Sequence, residues 1–171
     1  MIFNIKRYLG FILFCIVVIQ SSCGVYSFTG ASVSPDTKTV KVSLIENNSG
    51  FAAPTLSQTF TESLKQKILN STSLNITTAD ADLDFSGSIT TINITPIGIQ
   101  GNQQSAQNRF EVSVNINFVN SKDEKLSFEK VFKRNVDFAA DRSIDQVQSA
   151  LLEQITKELV QDIFNAAFTN W

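Results

Sequence analysis

The chain has 171 residues, 14 of them basic and 16 acidic, for a formal net charge of −2. That balance is not the one a nucleic-acid binder carries. There is no histidine, which excludes Ser-His and Cys-His catalysis and removes the commonest zinc ligand; the two cysteines are Cys15 and Cys23.

The first residues fall into three parts. Lys6 and Arg7 form a short basic region, Tyr8 to Ile19 is an apolar run, and Gln20, Ser21, Ser22 and Cys23 follow. A basic start, an apolar core of about 7–15 residues and a small-residue site describe a cleaved export signal. The run is shorter than the roughly 20 apolar residues of a membrane span. Ser21-Ser22 directly before Cys23 is similar to a lipobox, although Gln20 stands where Leu is usual. The expected organisation is a signal over 1–22, a lipidated tether over 23–37 and one α/β domain over 38–171. Cys23 is the expected lipidation site, carrying a diacylglycerol thioether and a fatty acyl group such as palmitate on its amine. Two or more such chains anchor firmly where one alone holds marginally. No other cofactor and no metal is expected.

Without residues 1–22 the chain has 12 basic and 16 acidic residues, a net charge of −4, and Cys23 has no partner for a disulfide. Gly24 to Pro35 carries no charge. The lack of an acidic run after Cys23 is unlike the surface-export signal of some lipoproteins, so the expected location is the outer membrane, facing the periplasm.

A first strand is expected near Lys38–Ile45, where Val40, Val42 and Leu44 alternate with polar residues. Glu46 to Gly50 is rich in turn formers. A helix over about Pro54–Leu69 starts on a proline suited to a first turn, and Leu56, Phe60, Leu64 and Ile68 make one apolar stripe. The next strand, Leu83–Ile97, changes phase: Leu83, Phe85 and Ile89 are odd, Ile92 and Ile94 even. An inward set cannot change parity without an extra residue, which predicts a bulge near Thr90-Thr91 or a break. Pro96 marks an end or an edge. A long uncharged connection covers 98–108.

The third strand is the cleanest: Phe110, Val112, Val114, Ile116 and Phe118 alternate without error. Asn120 to Asp123 reads as a hairpin turn. A fourth strand near Leu126–Phe138 keeps even parity through Leu126, Phe128, Phe132, Val136 and Phe138, with Lys130 and Arg134 interrupting that face. The last helix begins at Ser143, with Gln146 placed for a capping box. Ile144, Val147, Leu151, Ile155, Leu159 and Ile163 give it a stripe about 25 residues long, a rod of roughly 38 Å. The order β-α-β-β-β-α implies an α+β two-layer sandwich: a mostly antiparallel four-stranded sheet with two helices packed on one face. The strand–helix–strand start favours a parallel or split crossover between the first two strands. Ser113, Asn115, Asn117 and Thr90 make the other sheet face polar.

Several stretches together carry a family likeness: Cys23 to Gly30, Leu56 to Glu62, Ala106 to Phe110, Asp162 to Asn165, and Asn170-Trp171. With the lipobox, they make the chain resemble the LptE family of lipopolysaccharide-assembly lipoproteins in its Bacteroidetes-type form. The resemblance implies a two-layer α/β fold and a non-enzymatic role. It also implies a partner, an LptD-like outer-membrane β-barrel in which the lipoprotein sits as a plug, and contact with lipopolysaccharide.

Against that background Arg109, Lys130, Lys133 and Arg134 are candidates for contact with lipopolysaccharide phosphates, since Arg binds phosphate in bidentate fashion. Glu129 and Asp137 lie close by, and a charged strand face is normally just solvated. In the 98–108 connection Gly98, Gln100, Asn102, Gln103, Gln104, Gln107 and Asn108 are candidate barrel contacts, because uncharged amides suit a wet polar lumen. Phe164, Phe168 and Trp171 share a helical face; core packing is the default, and Trp171 is a candidate partner contact. Asp80, Asp82 and Asp84 imitate the start of a calcium loop, but Phe85 and Thr91 stand where Gly and Glu are needed.

Two other functions compete. A periplasmic lipoprotein activator of a cell-wall synthase has some likeness in Lys41 to Gly50, but it needs more reach than a short tether provides at about 3.3 Å per residue. An enzyme would have to use paired carboxylates, and none sits where a raised pKa is expected.

Overall fold

The computed structural model describes residues 33–98 and 106–169. Cys23 and the signal, loop residues 99–105 and Asn170-Trp171 lie outside the described residues. The elements in chain order are β1 (Thr39–Val42), β2 (Glu46–Asn47), α1 (Leu56–Ser71), β3 (Asn75–Ile76), β4 (Leu83–Ile97), β5 (Gln107–Asn120), a 3-10 turn (Glu124–Leu126), β6 (Phe128–Ala139) and α2 (Ile144–Phe168).

β5 is the spine. It buries Phe110, Val112, Val114, Ile116 and Phe118 on one face and turns Glu111, Ser113, Asn115 and Asn117 to the other. Long antiparallel ladders join it to β4 and β6. Both helices cover the apolar face, as their stripes require. α1 buries Leu56, Phe60, Leu64 and Ile68, and α2 buries Val147, Leu151, Ile155, Leu159 and Ile163. Phe118 sits 4.6 Å from Phe85 and 6.4 Å from Phe168, ring centre to ring centre, which joins two strands to α2. Each such pair adds about 0.5–1.5 kcal/mol to the burial of its rings.

The sheet is mixed and has six strands, ordered β3-β1-β4-β5-β6 with β2 also on β4, so the expected four-stranded, mostly antiparallel sheet is corrected. β1 runs parallel to β4, the crossover anticipated from the strand–helix–strand start. The two additions, β2 and β3, are two residues each and pair in parallel with β4 and β1. Such short pieces have no alternation to read. The first strand also stops early. Val42 pairs with Phe85 and Glu46 with Ser88, so the β1–β2 side carries one residue more than β4. The extra residue flips the phase. Leu44, expected inward, is 55% exposed and Ile45 is fully buried instead.

The anticipated bulge is present. Ile89 pairs with Val114 and Thr91 with Ser113, leaving Thr90 unpaired. The Thr90 hydroxyl donates to the Ser113 carbonyl at 3.2 Å. Beyond it Ile92 returns to the core, while Ile94 is 38% exposed. Other boundaries shift. Pro54 precedes α1 rather than opening it, and Leu126 lies in the 3-10 turn, exposed, before β6 begins. Ser143 is the N-cap of α2, but its side chain makes no capping bond, so the expected capping box does not form. Gln146 N–H donates instead to the Ser143 carbonyl at 3.1 Å.

Gly87 is where β5 comes closest to β4. A Cβ there would lie 2.1 Å from the Asn115 carbonyl oxygen, and its φ is +155°. Gly50, at φ +76°, would meet nothing within 4 Å. Gly87→Ala is therefore expected to cost about 3 kcal/mol, at the upper end of overpacking, and Gly50→Ala about 1 kcal/mol for the left-handed backbone. Denaturant unfolding of both variants reads the difference. Equal losses would mean the β4–β5 approach is not the constraint.

Candidate functional site

Three places gather polar side chains. The first is the sheet end where β1 begins. Asp82 Oδ2 accepts from the backbone N–H groups of Lys38 (2.8 Å) and Thr39 (3.0 Å) and from the Thr39 hydroxyl (3.0 Å). Its Oδ1 meets Lys122 Nζ at 3.0 Å. The Asp82 carbonyl accepts from Ser121 N–H and Oγ. One residue thus ties β1, the start of β4 and the β5–β6 turn. The Lys38 N–H, the Lys122 ammonium and the Thr39 N–H hold its carboxyl well below the usual carboxylate range. Asp84 pairs separately, with Lys41 at 2.9 Å. Among the described residues no group of acidic, His or Cys side chains is placed to hold a metal. Spacing alone made Asp80, Asp82 and Asp84 resemble a calcium loop, and partners some 40 residues away explain Asp82 and Asp84.

The second place holds the candidate cations, and the sheet divides them. Lys130 and Arg134 have the parity of Phe128 and Phe132, on the helix-covered side; Arg109 and Lys133 are on the opposite, open side. Arg134 makes a bidentate pair with Asp162 of α2 at 2.5 and 2.6 Å. Arg109 makes one with Asp137 at 2.8 and 2.9 Å. Hydrogen bonding to these carboxylates raises both guanidinium pKa values, and Arg109 lowers that of Asp137. Lys133 meets Glu111 at 2.8 Å. Lys130 makes no ion pair among the described residues; its ammonium lies 5.3 Å from the Phe132 ring centre. Lys130, Arg134, Asp162, Asn165 and Thr169 line an open groove of about 420 Å³ between β6 and α2. Its chemistry suits an anion: one uncommitted ammonium beside a guanidinium with remaining N–H donors.

The third is the open sheet face and the end of the β4–β5 hairpin. Gln107 and Asn108, read as loop, are the first residues of β5, paired with Ile97 and Pro96. Gly98 directly follows β4. The other expected loop contacts, Gln100, Asn102, Gln103 and Gln104, lie outside the described residues, as do Trp171 and Cys23. Phe164 and Phe168 are core residues. Sequence reasoning missed the Asp82 knot and the α2 partner of Arg134; only the even parity of Lys130 and Arg134 hinted that they faced the helices.

The family model described as LptE, lipopolysaccharide-assembly, matches residues 37–167. The chain belongs to that family. The match spans all the described elements except the last residue of α2, and it places the chain in lipopolysaccharide assembly. No curated relative matches by sequence. Among solved structures, the hypothetical protein CT253 from Chlamydia trachomatis is similar at 10% identity and TM-score 0.52, covering 78% of this chain and 99% of that one. A putative neuraminyllactose-binding hemagglutinin homolog from Helicobacter pylori is similar at 14% identity and TM-score 0.52, covering 82% and 88%. The rare lipoprotein B from Shewanella oneidensis is similar at 12% identity and TM-score 0.47, covering 74% and 89%. At such identities the likeness is one of fold alone. Among the described residues of this LptE-family chain, no helix is long and apolar enough to cross a membrane.

The Asp82 knot gives a pH prediction. A carboxyl with a folded pKa below its unfolded value of about 3.9 contributes stability above that value. The contribution is lost as pH falls below it. Asp82→Asn is expected to melt lower at pH 7 and to show a shallower loss of melting temperature between pH 5 and pH 2.5. Parallel wild-type and variant curves would remove Asp82 from the account.

Proposed function

We propose that this chain is a non-enzymatic, lipid-anchored subunit of the lipopolysaccharide transport machinery at the periplasmic side of the outer membrane. In this reading Cys23 carries the lipid. The domain plugs an LptD-like β-barrel, helps it assemble, and contacts lipopolysaccharide. The family match over 37–167 carries the reading. Three further observations support it. The lipobox-like segment precedes the domain. The β4–β5 hairpin ends in uncharged residues, with Gly98, Gln107 and Asn108 as candidate barrel contacts. The β6–α2 groove offers Lys130 and Arg134 to a phosphate. Arg109 and Lys133, on the other face, would need a separate phosphate or serve only to pair with Asp137 and Glu111.

Mild-detergent purification of the full lipoprotein from its own envelope tests the reading. One outer-membrane barrel of the lipopolysaccharide-export type is expected to co-purify and to survive salt washes. Recovery of a cell-wall synthase, or of no barrel, would sink it. For the groove, Lys130→Glu is expected to weaken lipopolysaccharide retention at least tenfold, the worth of one charge-assisted hydrogen bond at about 1.5 kcal/mol or more. Unchanged retention would take Lys130 out of the contact.

A further inference from the structure

From Phe85 to Asn108 the chain has no charged residue, a run of 24 in a protein that is 18% charged, where about four charges would be expected. Over half of that run is β4, next to the spine of the sheet. Its apolar members are explained by the core. Its polar members are not, since Ser86, Ser88, Thr91, Asn93 and Thr95 stand on the open face, and a solvated surface normally draws about 25–35% of its residues from Lys, Arg, Glu and Asp.

The neighbouring strands continue the pattern. Ladder pairing puts Ser88, Asn115 and Val131 in one row, and Ser86, Asn117 and Glu129 in the next. Val131 is 57% exposed near the middle of β6. Six charges on this face are closed on one another: Lys41 with Asp84, Arg109 with Asp137, Lys133 with Glu111. Glu129 accepts from Asn115 Nδ2 at 2.9 Å. The outer side of α2 is different, with Asp145, Glu153 and Lys157 exposed as in an ordinary solvated helix.

We propose that the open face of the sheet, centred on the β4–β5 pair, is the surface on which the protein docks to its partner, and that the partner presents a wall of uncharged hydrogen-bonding side chains. Interface centres are depleted of charge, and hydroxyls and amides can be satisfied across a contact without stripping water from a full charge. A strongly acidic partner would find no unpaired cation among these residues, and a strongly basic one only the single carboxylate of Glu129, already hydrogen-bonded to Asn115. The proposal rests on the plug reading and adds an orientation: sheet toward the barrel wall, helices and the Lys130–Arg134 groove away from it.

The test is photo-crosslinking of the full lipoprotein in its own envelope. A benzoyl-phenylalanine is placed at Thr91 or Asn115 on the open face, and at Gln154 or Lys157 on α2. Adducts with the barrel are expected from the first two positions only. The double variant Thr91→Lys with Asn115→Lys is expected to lower barrel co-purification at least tenfold while its melting temperature stays within a few degrees of wild type. Gln154→Lys should leave co-purification unchanged. Barrel adducts from α2 with none from the sheet would overturn the orientation and leave the plug reading intact. Wild-type protein that brings down no barrel would overturn both.

Discussion

Only one face of the sheet is covered, and that constraint organises everything else. A strand covered on one side must keep a strict two-residue period, because a slip of one residue exchanges its whole inward set for its outward set. β5 keeps the period without interruption and sets the register for its neighbours. β4 and the β1–β2 edge each break it once, and each break has its compensating residue. Thr90 is extra on β4, so Ile89 and Ile92 both reach the core. One residue between Val42 and Glu46 is extra on the edge, so Val42 and Ile45 both do. Burying one such side chain is worth about 1.5–3 kcal/mol, which outweighs the ladder bonds a bulge disrupts at about 0.5–1.5 kcal/mol each.

This explains what could be read in one dimension. α1, α2, the β5 alternation, the polar second face and the Thr90 bulge all follow from period and parity, which are local. What could not be read depends on where distant strands come to rest. Leu44 looked inward because Val40 and Val42 were. Its exposure follows from a pairing with β4, some 40 residues on. β2 and β3 are too short for a period and exist because β1 and β4 offer them backbone partners. Gln107 and Asn108 looked like loop because they are polar, although β5 continues through them, paired with Ile97 and Pro96 on one side and with Ala139 and Phe138 on the other.

The candidate cations show the same division. Parity placed Lys130 and Arg134 with the apolar set, which as a pattern looks like an error. In three dimensions β6 is an edge strand, and α2 brings Asp162 to Arg134 from 28 residues away. Exposed ion pairs contribute at most about 1 kcal/mol each, so these pairs do little for stability. Their effect is on direction: a bidentate guanidinium is fixed in orientation, and its carboxylate is withdrawn from other partners. The candidate phosphate ligands are therefore not equal. Arg109, Lys133 and Arg134 must share their charge with Asp137, Glu111 and Asp162, and Lys130 alone of the four need not.

The Asp82 knot bears on how the domain begins. β1 has four residues and sits between β4 and the two-residue β3, so ladder bonding alone would leave its first residues prone to fray. The knot removes that weakness where the chain enters the domain. Asp82 holds the N–H groups of Lys38 and Thr39, the residues at which β1 starts. Thr37, just before them, is buried, and its N–H donates to the Ser34 carbonyl at 2.9 Å. Val33 packs against the core cluster. Any pull transmitted along the preceding segment would reach this buried turn and a charge-assisted knot before it reached β1. A carboxylate accepting several N–H donors serves that position better than apolar contacts would, because its bonds are directional and resist sliding of the strand along its own axis.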